Sequence, residues 1–248
     1  MAGRLRNGLG RLFSALLLAW LWMAGAATAG PWTSPGRAVA GGRPGVVATI
    51  EQIRFGRHPN FHRTVLDLVA GKAGETHSYL GLHPRYSIEY RDFPSRLNIY
   101  FEDVYVEPTT KVMSKHQLPF ELISDRTGKV VKLTLFLPGP SEFRVIEVDD
   151  PAKLAIDIRP VSNPSPKKRV YAIQVYGFAS LDDALRVLSS GQLDRRMFDL
   201  FVVEGTPLIE AALTDYQLAS RLALEIEDEL PGVKVVVSER KADSLPVI

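Results

Sequence analysis

The chain has 248 residues, of which 46% are hydrophobic and 23% charged, with no cysteine and a formal charge of +2. The missing cysteine excludes a disulfide framework, a thiol nucleophile and a lipid-modified cysteine anchor, so the fold must rest on an ordinary apolar core. A charge this close to neutral does not support a nucleic-acid footprint.

Residues 1–29 read as an export signal. Arg4, Arg6 and Arg11 form a positive start without an acid, residues 12–26 are an almost unbroken apolar run, and Ala27-Thr28-Ala29 gives a small-x-small step before Gly30-Pro31. Cleavage is expected between Ala29 and Gly30. The alternative is a retained anchor, because the run approaches a membrane-spanning length. Loss of the three arginines takes the charge from +2 to −1. Export to the periplasm removes ATP-driven chemistry and the chromosome from consideration and brings the cell wall within reach.

Residues 30–45 alternate Pro31, Pro35 and Pro44 with Gly36, Gly41 and Gly42 and read as a spacer. Residues 46–160 repeat themselves. Tyr86 to Pro94 followed by Arg96-Leu97-Asn98-Ile99 returns 57 positions later as Phe143 to Pro151 followed by Lys153-Leu154-Ala155-Ile156. Each unit predicts a strand, a proline turn and a second strand with period-two alternation, preceded by another alternating strand at Thr64-Val65-Leu66-Asp67-Leu68 or at Lys132-Leu133-Thr134-Leu135-Phe136-Leu137. Two matched strand sets with no helical stretch between them predict two sheets face to face, an all-β sandwich. Leu97 and Leu154, and Ile99 and Ile156, are then equivalent core positions.

Residues 161–168 carry Pro164, Pro166 and two lysines and read as a solvated linker. Beyond it the period changes. A strand at residues 170–176 leads to a helix capped by Ser180 and closed by Gly191. A β-rich stretch at residues 198–203 turns at Gly205-Thr206-Pro207 into a strand at residues 208–213. Asp215 caps a longer helix with Leu218, Leu222, Ile226 and Leu230 on one face, and residues 233–237 form a last strand. The order βαββαβ predicts a small α+β, ferredoxin-like domain over residues 169–239, one sheet with both helices on one face. Residues 240–248 read as a frayed tail. Strand parity places Ile173 and Val175 toward the helices and Gln174 and Tyr176 on the bare face, where an amide and a phenol suit a sugar.

The run Ile53-x-Phe55-Gly56, Arg63 to Leu68, Tyr86 to Pro94 and Arg96-Leu97-x-Ile99, with the second ending Asp150-Pro151-Ala152-Lys153-Leu154-Ala155-Ile156-Asp157-Ile158, resembles the AMIN domain of bacterial envelope proteins over residues 48–160. The resemblance implies a β-sandwich that directs wall hydrolases or secretins to peptidoglycan. The chain departs from it at Asn98 and Tyr100, where the family has an acid and a small apolar residue. Tyr171 to Ser180, with Ala184 and Leu188, resembles the start of the SPOR domain, over residues 169–239. That resemblance implies glycan-strand binding on the open sheet face. The chain departs here too, placing Glu210 where an apolar residue is expected.

Catalytic constellations are absent from the pattern. His58 and His62 are four apart but bracket Pro59-Asn60, which reads as a solvated loop rather than a metal pair. Gly71 to Thr76 lacks the full phosphate-loop pattern, and no G-x-S-x-G elbow occurs. Asp149-Asp150 belongs to a turn, and Glu225, Glu227, Asp228 and Glu229 to a solvated helix face. No histidine follows the linker to support a zinc amidase. The expectation is a non-enzymatic periplasmic protein that needs no cofactor or metal and binds peptidoglycan at sites of wall remodelling or division. Gln174 and Tyr176 are its candidate glycan contacts, with Arg63 and Arg96, and with them Arg85 and Arg91, meeting the wall's acidic groups. The alternative is a docking accessory of a secretin-type secretion or pilus apparatus. A wall hydrolase or a secretin is the expected protein partner, and a membrane enters only if the signal is retained.

Overall fold

The structure is a computed structural model, and it describes residues 29–76, 78, 80–114, 118–161, 169–242 and 244–247. The segment before Ala29, read as an export signal, and most of the expected linker fall outside the described residues.

The chain is mostly β, with three sheets and two helices among the described residues. Ten strands form the first part: β1 (Ala38–Gly41), β2 (Ala48–Arg57), β3 (His62–Ala70), β4 (Tyr86–Arg91), β5 (Arg96–Phe101), β6 (Val104–Ser114), β7 (Phe120–Ser124), β8 (Val130–Phe136), β9 (Ser141–Asp149) and β10 (Ala152–Pro160). They lie in two five-stranded sheets. Sheet 1 has the order β1-β4-β5-β8-β7, and sheet 2 the order β6-β2-β3-β10-β9.

The repeat explains that arrangement. The β4–β5 hairpin of the first unit pairs with β8, which precedes the second unit, while the β9–β10 hairpin pairs with β3, which precedes the first. The two units have exchanged their leading strands, so each sheet is built from both. Both hairpins turn through a cis X-Pro bond, Phe93-Pro94 in one and Asp150-Pro151 in the other. Leu97 faces Leu135 and Leu154 faces Leu66 across the equivalent pairings. Leu97, Leu154, Ile99 and Ile156 are all fully buried in one apolar core shared by the two sheets. Period-two alternation points these residues inward and their neighbours Arg96, Asn98, Tyr100 and Asp157 outward.

Residues 30–45 are not a spacer. β1 adds to the edge of sheet 1 against β4, and Thr33 bridges Phe143 at the edge of sheet 2, with Gly30 N–H donating to Val145 O. The glycines that suggest a linker instead allow close approach. Gly42 has φ +71°, and a Cβ there would stand 2.0 Å from the Pro84 carbonyl oxygen.

The second part comprises β11 (Arg169–Tyr176), α1 (Leu181–Ser190), β12 (Asp199–Val203), β13 (Thr206–Leu213), α2 (Tyr216–Glu229) and β14 (Lys234–Lys241), with an antiparallel sheet in the order β12-β13-β11-β14. Ser180 accepts from the Asp183 N–H at the start of α1, and Gly191 ends it in the left-handed region. Asp215 accepts from the Leu218 N–H at the start of α2. Ile173, Val175, Ala184, Leu188, Ile209, Ala219 and Ile226 form the core under the helices. Ile123 of β7 belongs to this second core, so apolar packing runs across the junction between the two parts.

The tail is not frayed. Ala242 and Pro246 are buried, and the Val247 carbonyl accepts a hydrogen bond from Gln174 at 2.9 Å.

Candidate functional site

Two outward faces of the sandwich carry the polar chemistry. On sheet 1, β5, β8 and β7 present adjacent rows: Asn98, Thr134 and Glu121, then Lys132 and Ile123 with Tyr100 beside them. Strand β12 lies across these rows. Asp199 is 3% exposed and pairs with the buried Arg96. Its Oδ1 accepts from Asn98 Nδ2 at 2.8 Å. The Lys132 ammonium donates to the Leu200 carbonyl, and Glu121 accepts the Val202 N–H at 2.6 Å. Phe201 lies between Arg96 and Lys132, with each cation about 5 Å from its ring centre, and stacks on Phe136. Arg91 donates to the Arg195 and Arg196 carbonyls, and Arg240 pairs with Glu210 and reaches the Phe93 carbonyl at 2.9 Å.

Burial drives the titration of this junction. It pushes the Asp199 carboxyl up, but Arg96, Lys132 and Arg91 together outweigh it and hold that carboxyl below the usual range. Burial lowers the Lys132 ammonium against the pull of Asp199 and Glu121, and raises the carboxyls of Glu121 and Glu210 against nearby cations. Tyr100 is raised first by burial and then by Asp199, so it stays a neutral phenol.

These contacts overturn the placement of two expected glycan ligands. Parity holds, since Ile173 and Val175 do face the helices, but the opposite face is not bare. Gln174 is 7% exposed and spends its amide on Glu210 at 3.1 Å and on the Val247 carbonyl. Arg96 is buried against Asp199 rather than open to a wall polymer. Tyr176 is half-buried at the end of the strand, with Lys234 5.9 Å from its ring centre. Glu210, anomalous as a core residue, is accounted for by Arg240 and Gln174. Asn98 and Tyr100, the positions where the first unit departs from the resemblance noted in the sequence, are the residues that meet Asp199. Arg91 belongs to the same junction, and Arg85 is exposed beside Glu102 at 3.6 Å.

The outward face of sheet 2 is different. Asp157 on β10 stands directly between Arg63 on β3 and Arg144 on β9 in the strand register. It accepts from Arg63 at 2.5 and 2.8 Å and from Arg144 at 2.9 Å. Burial pushes the Asp157 carboxyl up, but these two arginines more than offset it and hold it below the usual range. Trp32 covers the strand ends, with Arg159 4.0 Å and Arg144 4.7 Å from its ring. Phe61 stands edge-on to Trp32, stacks on His58 and receives Arg63 at 5.3 Å. Beside Arg63 a groove of about 560 Å³ runs along Arg54, Gly56, His58, Val65 and Met113. Among the described residues Arg54, Arg63, Arg144, Lys153 and Arg159 on this face pair with Asp67, Asp157 and Glu142, five cations to three acids.

Of the expected contacts only Arg63 lies on this face. Trp32 was hidden in an apparent spacer, whereas Arg144 and Asp157 carried a readable signal: outward parity on strands of the repeat. His62 starts a strand rather than lying in a loop, and His58 is exposed. Among the described residues no group of three or more His, Cys, Asp or Glu side chains is arranged to hold a metal, and no helix is long and apolar enough to cross a membrane. None of the protein-family models, curated proteins or solved structures compared with the chain matches it.

Proposed function

We propose that this is a non-enzymatic periplasmic protein that binds peptidoglycan through the outward face of sheet 2 and holds itself or a partner at sites of wall remodelling. The observation that carries the reading is the pairing of an aromatic platform, Trp32 and Phe61, with Arg63, Arg144 and Arg159 on one open sheet. An aromatic ring offers the apolar face of a sugar its partner, and guanidinium forks take carboxylates of the kind the wall's peptide stems carry. The AMIN-like duplication and the export signal favour the same assignment. A ferredoxin-like, SPOR-related reading of the second part draws support from its βαββαβ order and its β12-β13-β11-β14 sheet. In this proposal that part acts as a brace against sheet 1, and the glycan contact passes from Gln174 to the sandwich.

The exported chain should sediment with purified sacculi, with an affinity that falls as salt rises. Phe61→Ala combined with Arg144→Ala should weaken sedimentation at least ten-fold while leaving a folded protein. Co-purification with a membrane apparatus and no sedimentation would instead favour the secretin-docking alternative. Unchanged sedimentation of the folded double variant would remove sheet 2 as the binding face.

A further inference from the structure

A cleft of about 480 Å³ opens where α1 bridges the outward face of sheet 1. Its floor is the row of Tyr100, Lys132 and Ile123, its roof is α1, and its side is the chain from Arg195 to Leu200. Ile123, Val131, Leu185, Leu188, Phe198 and Leu200 give it apolar walls. The volume falls in the range that encloses a small organic molecule rather than a few waters.

The charges that line it are mostly spoken for. Arg96 and Asn98 occupy the Asp199 carboxylate. Asp182 pairs with Arg126 at 2.5 Å, and Arg186 with Asp183 at 3.0 Å. Asp125 accepts from the Thr127 and Lys129 N–H groups of its own turn. Two cations remain. The Arg195 guanidinium is exposed at the mouth and has no hydrogen bond or ion pair among the described residues. Lys132, 3% exposed, uses its ammonium on a single acceptor among those residues, the Leu200 carbonyl. Glu121, the remaining acid near Lys132, accepts the Val202 N–H on one oxygen, while its other oxygen is buried without a hydrogen-bond partner among the described residues. A buried ammonium with donors to spare and a free guanidinium above apolar walls offer an anionic head two cationic donors.

We propose that this cleft binds an amphipathic organic anion, its carboxylate or phosphate head met by Lys132 and Arg195 and its apolar body lying against Leu185, Leu188 and Ile123. Such a ligand touches both parts of the molecule at once, so its binding adds to the junction. The site is independent of wall binding by sheet 2.

The test is calorimetric titration of the full exported chain with octanoate, octyl phosphate and octyltrimethylammonium, all below their micelle concentrations. Saturable one-to-one binding of octanoate, octyl phosphate or both, without binding of the cation, supports the site. Which anion binds more tightly identifies the head group. Arg195→Ala, at an exposed position, should weaken anion binding roughly ten-fold or more without lowering the unfolding temperature. Leu185→Trp should block the cleft in a protein whose circular dichroism is unchanged. Binding of neither anion by the folded chain, equal binding of the cation, or full affinity retained in both folded variants overturns the proposal.

Discussion

The two outward faces of the sandwich come from one duplicated plan and have been put to opposite uses. Moving 57 positions from sheet 1 to sheet 2 carries Tyr100 onto Asp157, Asn98 onto Ala155 and Arg96 onto Lys153. In sheet 2 the acid between arginines is the sheet's own, Asp157 held by Arg63 and Arg144. In sheet 1 that acid is missing and is brought by the second part, as Asp199 set into Arg96 and Asn98. A face that supplies its own counter-charge stays open. A face that lacks one is completed by docking.

The most severe way to break the comparison is to remove the imported acid. Asp199→Ala leaves Arg96 buried without its ion-pair partner and takes a nearby counter-charge from Lys132, and breaking a buried pair from one side costs about 3–5 kcal/mol. Chemical denaturation should show a loss of that size, together with uncoupling of the two parts into separate transitions. A single transition at unchanged midpoint would mean that the junction does not depend on this acid. A solvated linker by itself would let the two parts separate once it is cut, but these contacts hold them together. A chain nicked in residues 162–168 should stay together on gel filtration at neutral pH.

The duplication is tested in the core beneath the two faces. Leu97→Ala and Leu154→Ala each remove a fully buried side chain from matching positions, and each should cost about 2–5 kcal/mol. Comparable losses in equilibrium unfolding sharpen the case that the two units share one plan. A near-zero cost at one site alone breaks it.

Much of this was legible in the sequence, and the limits have physical causes. Period-two alternation and the repeated proline turn revealed β3, β4, β5, β8, β9 and β10, and they fixed which side of each strand faces the core. Strand exchange between the units could not be read, because pairing partners are set by tertiary packing and not by local pattern. β1 was missed because Gly41 and Gly42, placed for close approach to Tyr86 and Pro84, look like linker glycines. The buried state of Gln174 was missed because parity gives a direction and not what lies in that direction. Glu210, Asn98 and Tyr100 did register as anomalies. Each turned out to mark the junction, so misfits to a pattern were the best pointers to a hidden interface.

Acid should distinguish a docked acid from a neutral replacement. The Asp199 carboxyl is held below the usual carboxylate range in the folded chain, so its contribution to stability is complete above about pH 4 and is lost as pH falls through the folded value. Glu121 and Glu210 act in the opposite sense: their raised folded-state values favour the fold at low pH, and that contribution is lost as pH rises through them. Asp199→Asn removes only the first effect. The stability gap between the parent chain and this variant should therefore be largest near neutral pH and should close below about pH 4. A gap that is constant from pH 7 to pH 3 would show that Asp199 does not titrate differently in the folded chain.

The smallest expected effect on stability is the one that says most about use. Each face carries an aromatic ring between two cations: Phe201 between Arg96 and Lys132, and Trp32 between Arg144 and Arg159. Phe201 is buried at the junction, and Phe201→Ala should cost about 3–5 kcal/mol through the cavity it leaves. Trp32 is half-buried on a segment held to the sheet edge by backbone bonds at Gly30 and Thr33. Trp32→Ala forfeits mainly two cation–π contacts that solvent already weakens, about 1 kcal/mol. If sheet 2 is the wall-binding face, that inexpensive substitution should reduce sedimentation with sacculi several-fold, while folded junction variants bind as the parent does. A Trp32→Ala protein that loses as much stability as Phe201→Ala would assign Trp32 to the scaffold, leaving Phe61 and the arginines as the whole of the open site.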